Sequence, residues 1–132
     1  LIEEFKNDMQ FSVITGNEAI LPEMTKRGGH GAVAGGANFF PRLFVALYNA
    51  CMINDTKAIS KHLEWVNWIS DTIYNVGKEE SRYVKGTKCA LSLMGLCQEY
   101  SARPITPFNE TERAMVANFL AEFPYEKEYP SV

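Results

Sequence analysis

Two short apolar runs, each ending in glycine and then a polar residue or cluster, restrict this chain to few architectures. The first is Phe11-Ser12-Val13-Ile14-Thr15, followed by Gly16-Asn17-Glu18. The second is Ala32-Val33-Ala34, followed by Gly35-Gly36-Ala37-Asn38. Between them runs a helix-like stretch, Ala19 to Arg27, with apolar Ile20, Leu21 and Met24 and a Gly28-Gly29 stop. A second helical stretch, Pro41 to Ala50, follows. Strand, helix, strand, helix predicts parallel strands covered by helices, an α/β class. The crossover from Thr15 to Ala32 is long enough to hold one helix, as a parallel connection requires. In such sheets ligands gather at the carboxyl ends of the strands, where both glycine-polar clusters fall.

The rest of the chain changes period. Leu1 to Asp8 reads as the last turns of a helix, with Leu1, Ile2 and Phe5 on one face and no cap at its start. From Asp55 to Val76, Ile59, Leu63, Val66, Ile69, Ile73 and Val76 recur at three- and four-residue steps, the apolar face of a long helix. Trp65 and Trp68 widen that face, and Gly77 is placed to stop it. A second helix is expected from Arg82 to Met94, with Val84, Leu91 and Met94 inward and Gly95 at its end. Pro104 and Pro107 make residues 101–108 an extended connector. Asn109 and Glu112 form a capping-box pair ahead of Met115, Val116, Phe119, Leu120 and Phe123, a third helix. The tail from Pro124 is expected to be extended and partly exposed.

With 132 residues, 46% of them hydrophobic, the chain can bury one ordinary core and is not of the disordered class. Its net charge of −3 and its lack of a basic stripe with interleaved aromatics argue against a nucleic-acid partner. No apolar stretch reaches the roughly 18 residues of a membrane span. Residues 1–20 carry Glu3, Glu4 and Asp8 and lack a basic-then-apolar layout, so a secretory leader is not expected. Cys51, Cys89 and Cys97 lack the close spacing of a metal site or a redox pair and read as buried thiols of a reducing cytoplasm. His30 lies between glycines and His62 inside a helix, so no metal or cofactor is implied.

Two strands alone leave both sheet edges unpaired, and a bare two-stranded sheet is marginal. The strand residues are small and apolar on both faces, as in strands enclosed by a larger sheet. Physically the chain reads as a piece of something that supplies more strands.

The run Ser12 to Ala19, the run Gly28-Gly29-His30-Gly31-Ala32-Val33-Ala34-Gly35-Gly36-Ala37-Asn38, and the later segments Tyr83 to Lys88, Met94-Gly95-Leu96 and Arg103 to Phe108 resemble the dihydrodipicolinate synthase / N-acetylneuraminate lyase family. The resemblance covers essentially the whole chain in order. It implies the C-terminal part of a TIM (β/α)8 barrel, the last two strand-helix units, followed by a three-helix extension. Residues 1–50 would hold the end of the sixth helix and the seventh and eighth βα units, and residues 51–132 the extension. It further implies class I aldol cleavage or condensation of 2-oxo acids such as pyruvate, through a lysine Schiff base and a proton-shuttling tyrosine. That lysine must be partly neutral near pH 7, which a desolvated pocket favours. On this mapping the lysine, the tyrosine and the glycine-threonine-threonine turn for the pyruvate carboxylate all lie upstream of Leu1. This chain would carry no catalytic residue of its own, and its partners would be the missing N-terminal barrel portion and further copies in a dimer or tetramer.

The resemblance makes Gly16, Asn17, Glu18, Val33, Gly35 and Gly36 the substrate-binding candidates. Gly16 would line the pocket mouth, and Asn17 or Glu18 would reach the second substrate unless they cap the helix that follows. Val33 would turn its backbone carbonyl toward the Schiff-base lysine while its side chain fills the barrel. Gly35 and Gly36 would clear space at the strand end, and Asn38 would cap the helix begun at Pro41. The synthases carry paired aspartates after the glycine and the lyases a longer acidic pattern, whereas this chain has Asn17-Glu18. Lys85 and Lys88, on an amphipathic helix, are expected in solvent or at an interface. The Trp65, Trp68 and Tyr74 group is expected to pack helices or subunits. Two other readings stand beside the aldolase: a dehydratase of the same family, and a non-catalytic piece acting as a binding or assembly module.

Overall fold

The structure, a computed structural model, describes residues 2–5, 7–8 and 10–130. It forms two compact units. One holds the chain up to Ala37 together with Pro41–Asn67, and the other holds Asn38–Phe40 with the chain from Trp68 onward.

The first unit opens with helix α1, Ile2–Phe5; the expected position of Leu1 on its face lies outside the described residues. Strand β1 is Ile14–Thr15 and strand β2 is Gly31–Ala32, shorter than the Phe11–Thr15 and Ala32–Ala34 runs predicted. They pair in parallel, Ile14 opposite Gly31 and Thr15 opposite Ala32. The ladder reaches further through backbone bonds: His30 N–H donates to Val13 O at 2.8 Å, and Val33 N–H donates to Thr15 O at 2.8 Å. Val13 and Val33 therefore lie on adjacent segments, but Val13 falls opposite His30 and Val33 opposite Gly16, so the two do not face each other. His30 also starts the ladder with its side chain, Nδ1 accepting from Val13 N–H at 3.0 Å, which requires that nitrogen to be unprotonated.

After β1 comes a 3-10 turn, Glu18–Ile20, and then helix α2, Leu21–Lys26, with Pro22 in its first turn where a missing N–H costs nothing. Gly28, at φ +93°, ends α2 in a conformation that a side chain would resist, and Gly29 N–H returns to Met24 O at 2.7 Å. After β2 a 3-10 turn, Gly36–Asn38, leads into helix α3, Pro41–Met52. Its Leu43, Phe44, Leu47, Ala50 and Cys51 are buried, at the three- and four-residue steps that mark one helix face.

Helix α4 runs over Thr56–Asp71, with Asp55 Oδ1 capping it by accepting from Ala58 N–H at 3.0 Å. It ends earlier than predicted. Thr72, at φ −112° and ψ −85°, leaves helical geometry, and a 3-10 turn, Ile73–Asn75, carries the apolar face onward to the buried Val76. Gly77, at φ +83°, stands in the loop beyond that turn and stops no helix itself.

In the second unit, helix α5 spans Arg82–Leu93 and Gly95, at φ +74°, follows its end as predicted. The buried face of α5 differs from the predicted one. Lys85, Gly86, Cys89 and Ala90 are buried, while Val84 and Met94 are exposed. Gly86 is the reason: a Cβ there would stand 2.2 Å from Ile73 O, so its absence lets α5 press against the turn and turns this face inward. Helix α6, Glu110–Glu122, has the expected capping box, with Asn109 Oδ1 accepting from Glu112 N–H at 2.9 Å and Glu112 Oε2 accepting from Asn109 N–H at 3.1 Å. The tail departs from expectation. It forms a short helix α7, Tyr125–Glu128, and buries Tyr125 and Tyr129. The cause is aromatic: Phe123 lies 4.5 Å from Phe40 and 5.7 Å from Tyr125, and Tyr125 lies 5.7 Å from Tyr129, all ring to ring. Trp68 joins the same cluster at 5.5 Å from Phe123, and Tyr74 meets Tyr83 edge to face at 4.4 Å.

Candidate functional site

The carboxyl ends of β1 and β2 carry the candidate residues. Parallel pairing puts Thr15, Ala32 and Ala34 on one face of the ladder, and Ile14, Gly16 and Val33 on the other. The first face turns toward the helices: Thr15 is buried, and Ala32 and Ala34 line an apolar groove of about 340 Å³ with Leu21, Phe44 and Tyr48. The other face is bare, with Ile14 54% and Val33 67% exposed. Gly16 adds open space there, because nothing lies within 4 Å of where its Cβ would stand.

The turn after β1 is built from side chains. Thr15 Oγ1 accepts from Asn17 N–H at 2.9 Å, and Asn17 Oδ1 accepts from Ala19 N–H at 3.1 Å, so Asn17 caps the 3-10 turn. Glu18 is only 8% exposed, and its Oε1 accepts from Gly36 N–H at 2.8 Å. A buried carboxylate is costly without donors, and this bond both offsets that cost and joins the two strand-end turns. Gly36, itself buried, opens the second turn, Gly35 is half-buried before it, and Asn38 closes it. The structure thus brings Glu18 and Gly36 into direct contact and leaves Gly16 and Val33 on the bare face.

No sequence signal marks the Glu18–Gly36 bond, whose partners lie 18 residues apart. The ladder contact of His30 was likewise missed; its position between glycines gave no hint of an acceptor role. Lys85 corrects a third expectation. It is 6% exposed, and its Nζ lies 3.1 Å from Glu79 Oε2 and 5.0 Å from the Phe108 ring centroid, so it is buried rather than solvated. The Lys85 ammonium holds the Glu79 carboxyl below the usual carboxylate range. Lys88 donates from Nζ to Tyr100 O at 2.7 Å. Cys51 and Cys89 are buried as expected, whereas Cys97 is exposed. Burial pushes the Cys89 thiol up to about 11, with the Glu99 carboxylate adding to the shift, and burial raises Cys51 as well. Both shifts favour the neutral thiol, as burial does for structural cysteines. Among the described residues no three metal-ligating side chains cluster, and no helix is long and apolar enough to cross a membrane.

The sequence profile of the Dihydrodipicolinate synthetase family matches residues 2–123. The chain belongs to that family. Its relatives include 4-hydroxy-tetrahydrodipicolinate synthase of Phenylobacterium zucineum, 30% identical over 109 residues, or 81% of this chain and 35% of the relative. The enzyme of the same name from Chlorobium phaeovibrioides is 28% identical over 111 residues, 81% of this chain and 34% of its own. The solved dihydrodipicolinate synthase of Bacteroides thetaiotaomicron superposes with a TM-score of 0.88 at 43% identity, covering 92% of this chain and 41% of that one. The chain therefore spans about a third of the length of the curated relatives it matches. As a member of the dihydrodipicolinate synthetase family it has the fold of part of a barrel enzyme, and its sheet is the part whose apolar face is bare.

Proposed function

We propose that this chain is the closing segment of a Schiff-base 2-oxo acid aldolase or lyase, with β1 and β2 as the seventh and eighth strands of the barrel. The observation that carries the reading is the bare ladder face. Ile14 and Val33 point away from the helices into water, as two apolar side chains do when the strands that would enclose them belong to residues outside this chain. In the closed barrel both would become interior, residues 1–50 would complete the barrel, and residues 51–132 would form the helical extension. Gly16, Asn17, Glu18, Val33, Gly35 and Gly36 would line the rim at the carboxyl ends of the strands, with Gly16 leaving room for substrate and Val33 offering its carbonyl.

The reaction follows from the family's chemistry. A lysine outside residues 1–132 adds to the keto carbon of pyruvate or a similar 2-oxo acid and loses water to give an imine. The protonated imine draws electrons from the neighbouring carbon, which gives up a proton and attacks a second carbonyl; cleavage is the reverse. The protein would work in the cytoplasm as a homo-oligomer. Borohydride reduction in the presence of pyruvate tests this on the full-length protein. A covalent adduct on a lysine outside residues 1–132 is the expected result. No adduct with pyruvate or any related oxo acid, or an adduct on Lys85 or Lys88, would overturn it.

A further inference from the structure

Glu18 carries a role that neither helix capping nor substrate contact describes. Its carboxylate is buried, and its Oε1 accepts from the backbone N–H of Gly36, which is buried too. The two residues open the two strand-end turns, Glu18–Ile20 after β1 and Gly36–Asn38 after β2. The strands themselves are held by a backbone ladder that reaches Val33 N–H, which donates to Thr15 O at 2.8 Å. Beyond that point each backbone turns away into its own helix, and the ladder no longer fixes the distance between the turns. The Glu18 bond does. The side chain of Asn17 is engaged by Ala19 N–H, and Gly16 has no side chain, so Glu18 is the residue of this turn that reaches the other one.

We infer that Glu18 is a positioning residue: by bonding Gly36 N–H it fixes the gap between the two strand-end turns and hence the width of the substrate mouth. This inference rests on the site reading given above, but the bond itself can be tested without it. Chain length and acceptor chemistry make the prediction specific. Glutamine keeps an oxygen at the same reach and can still accept from Gly36 N–H, without the charge. Aspartate is about 1.5 Å too short, one carbon–carbon bond, and alanine has no acceptor.

The test uses the full-length protein with E18Q, E18D and E18A, and reads three quantities: hydrogen exchange at the Gly36 amide, steady-state kinetics, and borohydride trapping of pyruvate. E18A and E18D are expected to speed Gly36 exchange and to raise KM for the second substrate, each by about tenfold, the size of one charge-assisted hydrogen bond. E18Q is expected to stay within about threefold of the parent in both, since a neutral bond retains part of that strength. The inference is overturned if E18Q loses as much as E18A while Gly36 exchange is unchanged in both, the signature of a carboxylate that touches substrate. It is equally overturned if the parent's Gly36 amide is unprotected. Failure of the parent to trap any oxo acid would instead sink the proposed reaction, and the exchange pattern would still decide the brace.

Discussion

In the first unit Ile14 and Val33 leave more than half of their surface to water, whereas in the second Ile73, Ala90 and Val116 leave none. The contrast lies in the sheet rather than in the helices, because α3 of the first unit also buries Leu43 and Leu47 completely. A helix hides its apolar stripe against one neighbour, but a strand of a parallel sheet needs cover on both faces and partners on both edges. The two-stranded ladder has helices on one face and one partner per strand. The second unit has an aromatic cluster instead, Phe40, Trp68, Phe123, Tyr125 and Tyr129, whose rings meet at 4.5 to 6.4 Å. Packing among helices is locally complete where strand pairing is not. What this chain lacks, on the proposed reading, is therefore the remainder of a sheet.

The comparison breaks first at the aromatic cluster. Phe123→Ala removes a buried ring in contact with Phe40, Trp68, Tyr125 and Tyr129, and is expected to cost about 4 kcal/mol, in the range for large-to-small core changes. Denaturant unfolding followed by tryptophan fluorescence would measure it, and a loss below about 1 kcal/mol would mean that the cluster is not a core. Gly86→Ala comes next. Its new methyl would stand 2.2 Å from Ile73 O, a backbone atom that cannot swing aside, so α5 must move off the turn. The expected loss is about 3 kcal/mol, at the upper end for overpacking. Gly16→Ala is the natural control, because its methyl would meet nothing within 4 Å and φ there is not in the left-handed range. Equal losses at the two glycines would show that the close approach of α5 to the turn is not what Gly86 supplies.

Much of this was legible because it is local. The order of strand, helix, strand and helix follows from runs and glycine stops within a few residues of each other. The Asn109–Glu112 box follows from a three-residue spacing. What was not legible depends on residues far apart. Glu18 reads as an acid at a helix start until Gly36, 18 residues away, is seen to donate to it. Lys85, on an amphipathic helix, reads as a solvated or interface cation; the close approach of α5 that Gly86 allows turns it inward, where Glu79 and Phe108 meet it. The tail after Pro124 has too few residues for a period to show, and its fold is decided by rings on Phe40 and Phe123. The end of α4 at Asp71 was hidden for the opposite reason: the apolar period continues through the turn Ile73–Asn75 although the helix does not.

The smallest expected effect sharpens the contrast most. Val33→Ala in a polypeptide of residues 1–132 removes two methyl groups from a side chain that is 67% exposed, so little buried area is lost. A change within about 0.5 kcal/mol is expected there, as for surface positions generally. In the full-length protein the same substitution falls, on the proposed reading, inside a closed barrel, and a loss of about 2 kcal/mol is expected from the buried methyls and the space they leave. Ile14→Val, which deletes one methyl on the same bare face, should follow the same pattern at about half the size. The measurement is the difference between the two lengths of chain, each unfolded in urea under the same conditions. If Val33→Ala costs the same small amount in both, Val33 faces solvent in the full-length protein as well. Val33 and Ile14 would then not be barrel-interior residues, and the ladder they share would have to be covered, if at all, by something other than the remaining strands of a barrel.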